Sequence, residues 1–107
     1  MLVGELILQS STSIYSDVIT RGSGTATFYV DVLQSEGSVA GTLNIDIQHR
    51  NPEEDTWATA ASFTGTTGTG LMSKTASSLK ELIRLKFTLN SGTDAWKRVY
   101  ILTPVWG

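Results

Sequence analysis

The stretch ELIRLKFTLN, residues 81–90, alternates large apolar side chains with polar ones along most of its length. Successive side chains of a β-strand point to opposite faces, so this alternation predicts a strand with one apolar face. That face consists of Ile83, Leu85, Phe87 and Leu89. The stretch is therefore expected to cover one side of a hydrophobic core.

Three other segments show the same alternation: TATFYVDV at residues 25–32, TLNIDIQHR at residues 42–50 and WKRVYILTPV at residues 96–105. Their predicted inward faces consist of Ala26, Phe28, Val30 and Val32; Leu43, Ile45 and Ile47; and Val99, Ile101 and Val105. Pro104 cannot donate a hydrogen bond to a neighbouring strand, so it predicts a strand end or an edge position.

Three weaker strand candidates complete the map: GELIL near the amino terminus, SIYSDVIT around residues 14–20 and TWATAASF at residues 56–63. The intervening segments RGSG, QSEGS, HRNPEED, GTTGTG and NSGTD are rich in residues that turns require. The Thr/Gly stretch FTGTTGTG is expected to be a hairpin loop. Together these signals predict about seven or eight strands.

The strand pattern predicts an all-β fold, a single antiparallel β-sandwich domain over residues 1–107, of jelly-roll, Ig-like or β-tulip type. At most one short helical turn is expected, near residues 77–81, where Ser77 or Ser78 could cap it. The chain lacks the alternation of strands and long helices that is typical of parallel α/β enzymes.

Composition and charge narrow the functional classes. The chain has 40% hydrophobic and 17% charged residues and no cysteine, which excludes disulfides and thiolate chemistry. No apolar run approaches the roughly 18 to 20 residues of a membrane span, and MLVGELILQSS is interpreted as structure, not as an export signal. The net charge is −2 with scattered basic residues. We therefore expect neither a membrane nor a nucleic-acid partner.

The stretch IQHRNPEEDTW, residues 47–57, holds the single histidine and the densest run of acids. His49 continues an inward-facing series, so we expect it at the rim of the core with one ring nitrogen bonded to a backbone group. Asn51 and Pro52 are typical of the start of a turn. The segment is therefore interpreted as a β-hairpin.

The acids of this turn, Glu53, Glu54 and Asp55, are expected to stay solvated. Their consecutive spacing lacks the glycine-punctuated pattern of a calcium loop, so no metal site is predicted. No carboxylate pair is suggested across a cleft, and neither a GxSxG elbow nor a GK[ST] phosphate loop occurs. We expect no enzyme activity, no cofactor and no catalytic residue.

The aromatic residues leave two alternatives open. Tyr29 and Tyr100 are predicted to face outward, and together with exposed tryptophans they would form a platform for carbohydrate. Alternatively, Trp57 and Trp96 close the ends of the sandwich core. Trp106, next to the last residue, is costly to leave in water and should dock on its own domain or on a neighbour.

The order of these pieces resembles small all-β virion proteins of tailed phages, notably head decoration or cement proteins. The resemblance is carried by the strand GTLNIDIQHR, the acidic NPEED turn, Trp57, the FTGTTGTG loop and ELIRLKFTLNSGTDAW with its Arg84, and it covers approximately residues 24–105. Such proteins often attach through an extended amino-terminal arm. MLVGELILQSS departs from that pattern because it is already strand-like.

The resemblance implies a non-enzymatic virion structural protein that binds the outer surface of a capsid, made of major capsid protein, and stabilises it. It also implies a homo-oligomer, with a trimer favoured, located on the virion surface after synthesis in the host cytoplasm. The apolar segments LILQ and PVWG are then expected to contact neighbouring subunits. Two alternatives remain: a carbohydrate-binding or host-recognition module, and another phage tail or neck component.

Overall fold

A computed structural model of the chain describes residues 2–9, 13–36, 42–65, 69–90 and 96–107, and all of its regular structure is β-strand. The strands are β1 (Leu2–Gln9), β2 (Ser13–Tyr15), β3 (Ile19–Thr20), β4 (Ala26–Glu36), β5 (Thr42–Arg50), β6 (Ala58–Ser62), β7 (Gly70–Ala76), β8 (Leu82–Asn90), β9 (Trp96–Leu102) and β10 (Val105–Trp106). Within these ranges, no helix has the length and apolarity that a membrane crossing requires.

The strands form two antiparallel sheets. Sheet 1 has the order β1, β9, β4, β7, and β10 continues the line of β9 along β4. Sheet 2 has β8 and β5 at its centre, with β6 beside β5, while β2 and β3 lie end to end along the other side of β8. The predicted antiparallel β-sandwich is confirmed.

The pairing order identifies the sandwich as a jelly roll. Counting β2 with β3, and β9 with β10, as one strand position each gives eight positions. The first position pairs with the last, the second with the seventh, the third with the sixth and the fourth with the fifth. The chain is thus a long antiparallel ribbon wrapped around one core, as in two-sheet jelly rolls, and not an Ig-like or tulip arrangement.

The core lies between the inner faces of the two sheets and contains the residues that the alternation predicted. Its buried members are Ala26, Phe28, Val30, Val32, Leu43, Ile45, Ile47, Phe63, Ala76, Leu79, Ile83, Leu85, Phe87, Leu89, Val99 and Ile101. Val105 is the exception, because it is 59% exposed. The alternation of the four long strands therefore predicted their inward faces almost completely.

The number of strands differs from the prediction of seven or eight, since ten separate strands are described. The candidate SIYSDVIT is broken into β2 and β3, and the carboxy-terminal candidate is broken at Pro104, which lies between β9 and β10. At the first break Ser16 takes over the pairing with β8. Its backbone N–H donates to the Leu85 carbonyl at 2.9 Å, and its hydroxyl accepts from the Leu85 N–H at 2.8 Å.

The helical turn allowed near residues 77–81 is not present. That segment is irregular, with Ser78 in the left-handed region at φ 55° and Leu79 buried in the core. The residues before it form β7, which is not among the predicted strands. β7 escaped prediction because it is an edge strand whose Lys74, paired with Phe28, occupies an inward register position.

The FTGTTGTG segment was expected to be a hairpin loop, and this expectation is wrong. It joins β6, which pairs with β5 in sheet 2, to β7, which pairs with β4 in sheet 1. The segment therefore crosses from one sheet to the other. A jelly roll requires this crossing because its fifth and sixth strand positions belong to opposite sheets.

Trp106 docks on its own chain. Its ring packs edge-to-face against Phe28, with centroids 6.3 Å apart and an interplanar angle of 77°. A Cβ atom at Gly22 would lie 2.8 Å from the Trp106 ring, so only glycine leaves room for this packing. The expected contact of PVWG with a neighbouring subunit is therefore not needed to cover the indole.

We predict that Trp106→Ala lowers the free energy of unfolding by about 2–4 kcal/mol, since it removes a partly buried indole and opens a gap beside Phe28. Urea denaturation would measure the change. The control is Val105→Ala, which should alter stability by less than about 0.5 kcal/mol because that side chain is exposed. Equal effects of the two substitutions would contradict this role of Trp106.

Candidate functional site

The segment IQHRNPEEDTW forms the predicted β-hairpin, because β5 and β6 pair antiparallel on either side of it. His49 Nδ1 accepts a hydrogen bond from the Lys80 backbone N–H at 3.1 Å. The expectation that one ring nitrogen meets a backbone group at the core rim is confirmed. His49 thus ties the hairpin to the segment that leads into β8.

One acid of the turn is not simply solvated as expected. Glu54 accepts from the Asn51 N–H at 2.8 Å, and its carboxylate pairs with Lys80 Nζ at 2.8 Å. Glu53 and Asp55 are exposed. Glu54 therefore closes the turn and binds it to the residue whose backbone holds His49.

These contacts give the titratable groups of the turn structural roles. Burial, followed by the nearby Lys80 ammonium, lowers the pKa of His49, while Glu54 opposes this shift. Hydrogen bonds from Lys80 and from the Asn51 backbone lower the pKa of Glu54. Over the described ranges, no group of three or more histidine or acidic side chains is placed to hold a metal ion.

The most distinctive constellation lies on the outer face of sheet 2. The Arg84 guanidinium carbon lies 4.0 Å from the ring centroid of Tyr15 and 4.4 Å from that of Trp57. Arg84 Nε donates to Gln48 Oε1 at 2.8 Å. We call Tyr15, Gln48, Trp57 and Arg84 the arginine cluster. Its contacts hold a cationic group in one orientation on an open surface.

The strand register explains why these residues meet. Gln48 and Arg84 are direct partners in the β5–β8 ladder, so their outward side chains lie side by side. Tyr15 pairs with Lys86, one outward position further along β8. Trp57 lies two residues before Thr59, which is the β6 partner of Gln48. Three strands and one turn thus converge on Arg84.

Arg50 supports the cluster by contacting both the Trp57 ring and the backbone of the turn. Its guanidinium lies 5.1 Å from the Trp57 ring centroid and donates to the carbonyl groups of Pro52 and Glu54. Arg50 Nε is buried and has no hydrogen-bond partner among the described residues. The bonds of Arg50 to the turn backbone make it a support for Trp57. Arg84, in contrast, contacts both Trp57 and the exposed Tyr15.

The rest of this face is polar. The β5–β8 ladder brings Asp46 beside Lys86 and Asn44 beside Thr88. Ser62 Oγ donates to Asp46 Oδ1 at 2.7 Å. The outer face of sheet 2 thus presents amide, carboxylate, hydroxyl and cationic groups around the arginine cluster.

The outer face of sheet 1 carries a second, looser set of aromatics. Tyr29 and Tyr100 belong to the outward-facing series of β4 and β9, as predicted. Arg98 lies 5.6 Å from the Tyr100 ring centroid and donates to its hydroxyl at 3.3 Å. No stack of two rings on one guanidinium occurs on the described part of this face.

The structure decides between the two alternatives for two of the tryptophans. Trp57 stacks on arginines outside sheet 2, so the alternative in which it closes the core is ruled out. Trp106 packs on Phe28 and does not join an exposed platform. The Trp96 side chain lies outside the described residues. Sequence reasoning missed Tyr15, although its alternation with Ile14 in SIYSD was a usable signal.

A cleft opens between the two sheets where both broken strand positions lie. Its lining is mostly apolar and includes Ile19, Phe28, Ile83, Ile101 and Pro104. The space inside the cleft is about 20 Å³, room for about one water molecule. The cleft is therefore too small to enclose a ligand.

We predict that acid weakens the fold in two steps. The lowered pKa values mean that unfolding takes up a proton at His49 below about pH 6.5, and at Glu54 below about pH 4.5. Stability contributed by these groups is present above those values and is lost as the pH falls. Thermal unfolding between about pH 7 and pH 5 would show the His49 component.

The matched variant is His49→Gln, which keeps a side-chain acceptor but does not titrate. Its stability should vary less than that of the wild type between about pH 7 and pH 5. Parallel pH profiles for the two proteins over that interval would show that His49 does not carry the effect.

Comparison with known proteins gives one informative result. No family model matches the chain, and no curated protein matches it either. A solved structure described as "CBM4 structure and function" is similar to this chain, with a TM-score of 0.58 and 13% sequence identity. The match covers 95% of this chain and 70% of the chain in that structure. At that identity the likeness concerns the fold, which is the β-sandwich module described above.

Proposed function

We propose that this chain is a non-enzymatic carbohydrate-binding module and that its binding surface is the outer face of sheet 2. The observation that carries the proposal is the arginine cluster, in which Tyr15 and Trp57 flank an oriented guanidinium. Polar side chains of two central strands surround it. Such a surface matches a ligand that has both hydroxyl groups and C–H faces.

Sugar recognition requires two kinds of contact. Hydroxyl groups need fixed donors and acceptors, and planar side chains such as those of Gln48, Asn44 and Arg84 supply them at defined angles. The C–H faces of a pyranose pack on apolar aromatic surface, which Tyr15 offers because it is 44% exposed. The face of sheet 2 provides both kinds.

The cluster is fixed before any ligand arrives. Arg84 is held by Gln48 and by two rings, and Trp57 is held by a turn that Glu54 and Lys80 lock. Groups ordered in the free protein lose less conformational entropy on binding. Because the surface is open and the cleft is small, it suits a chain of sugars better than an enclosed small molecule.

The architecture supports this proposal at a coarser level. Jelly rolls occur among lectin domains as well as viral capsid proteins. The similar solved structure is described as a CBM4, a carbohydrate-binding module. Because one fold hosts many functions, the argument rests on the arginine cluster and not on this likeness.

We predict that Trp57→Ala weakens glycan binding by about tenfold, because it removes one support of Arg84 and an aromatic surface. Affinity electrophoresis in gels that contain soluble polysaccharides would measure the change in migration. The matched control is Tyr29→Ala, an outward aromatic on sheet 1, which should bind like the wild type. Circular dichroism would establish that both variants are folded.

Equal retardation of both variants in every gel would remove sheet 2 as the binding surface. If the wild type itself migrated freely through all glycan gels, the carbohydrate proposal would fail as a whole.

A second candidate function is capsid decoration, which the sequence resemblance suggests. The observation that favours it is β1, a strand of eight residues that pairs with β9 on one side and with no other strand in the described ranges. An unpaired strand edge can add to a neighbour by β-augmentation. The module would then sit on the virion surface as a trimer bound to major capsid protein.

For that function we expect a trimer in sedimentation equilibrium and co-sedimentation of the chain with purified phage shells, whose heat resistance should rise. Many copies on a lattice would make weak single contacts sufficient. A monomer at high concentration that neither sediments with shells nor protects them would eliminate decoration.

A further inference from the structure

Arg84 is a cation without a carboxylate partner among the described residues. Its contacts are the side-chain amide oxygen of Gln48, Oε1, and the rings of Tyr15 and Trp57. The ion pair found in this part of the chain joins Lys80 to Glu54 instead. A guanidinium that is oriented but not neutralised is a ready site for an anion.

The geometry of Arg84 specifies the kind of anion. Its Nε is already committed to Gln48, so the two terminal nitrogens remain for a ligand. They form a planar fork, which matches the two oxygens of a carboxylate in a bidentate pair. Lysine, a point charge on a flexible stem, cannot reproduce that match.

The charges around Arg84 confine the attraction for anions to this part of the surface. Lys86 lies one outward position along β8, and Arg50 lies beyond Trp57, so both add positive charge. Asp46 lies beside Lys86 and bonds to Ser62, and Asp17 lines the nearby cleft with Arg84. Since the chain as a whole carries a net charge of −2, non-specific attraction of polyanions is not favoured.

From these observations we infer that the glycan is acidic: a uronate-containing polysaccharide whose sugar carboxylate is held by the Arg84 fork. This inference rests on the proposed carbohydrate function and names its ligand class. Gln48 and the hydroxyl-bearing residues along β5 and β8 then meet the sugar hydroxyls. Tyr15 and Trp57 keep the guanidinium in place and pack on the sugar next to the carboxylate.

The first test changes the ligand and leaves the protein intact. Polygalacturonate and its fully methyl-esterified form share one backbone and differ in the charge of the carboxyl group. Wild-type protein should bind the acid form at least about tenfold more tightly in affinity electrophoresis, as expected for loss of a charge-assisted bidentate pair. Dextran sulfate is the third ligand, and it should bind no better than the ester.

The second test changes the protein. Arg84→Gln should weaken polygalacturonate binding about tenfold, and Arg84→Lys should restore only part of the loss because it keeps the charge but not the fork. The matched comparison is Lys86→Gln, which removes the same charge from the same face and strand and should weaken binding clearly less than Arg84→Gln, because Lys86 adds charge but no planar fork. Thermal unfolding and tryptophan fluorescence would establish that the variants retain the fold.

The outcomes separate this inference from the function it rests on. Equal binding of the acid and the ester, with Arg84→Gln harmless, overturns the acidic ligand while glycan binding stands. Equal losses for Arg84→Gln and Lys86→Gln, or tight binding of dextran sulfate, would reduce the effect to general electrostatics and also overturn it. Failure to bind any glycan removes the carbohydrate function together with the inference.

Discussion

The unbroken register between β5 and β8 is the constraint on which the rest of the structure depends. These two central strands of sheet 2 pair from Thr42 with Asn90 to Arg50 with Leu82 without a shift. The pairing of β4 with β9 at the centre of sheet 1 is interrupted between Val32 and Gln34. The β5–β8 ladder therefore determines which side chains lie on each face of sheet 2.

That register assigns each side chain of the pair to a face. Ile47 and Leu85 are partners that enter the core, and the next pair, Gln48 and Arg84, points outward. A slip of one residue would turn the apolar side chains of the shifted strand outward and separate Gln48 from Arg84. Burial of the core thus enforces the geometry of the arginine cluster, because the same ladder carries both.

What the sequence could predict depends on whether a feature is set within one strand or by the pairing of distant strands. Alternation within one strand is local, so the inward faces of the four long strands, the hairpin and the backbone contact of His49 could all be predicted. The choice of a jelly roll depends on pairing the first strand with the last, which no local pattern encodes. β7 was missed because Lys74 interrupts its apolar face, and Trp57 because its position depends on a partner strand.

The turn between β5 and β6 connects folding to the candidate site. Lys80 holds this hairpin twice, through its backbone N–H to His49 at the end of β5 and through its ammonium to Glu54 in the turn. Lys80 also lies two residues before β8, the strand that carries Arg84. The contacts that fix the turn therefore fix Trp57 relative to Arg84. A loosened turn would free the indole without disturbing the core, so the binding surface can lose its geometry while the sandwich remains folded.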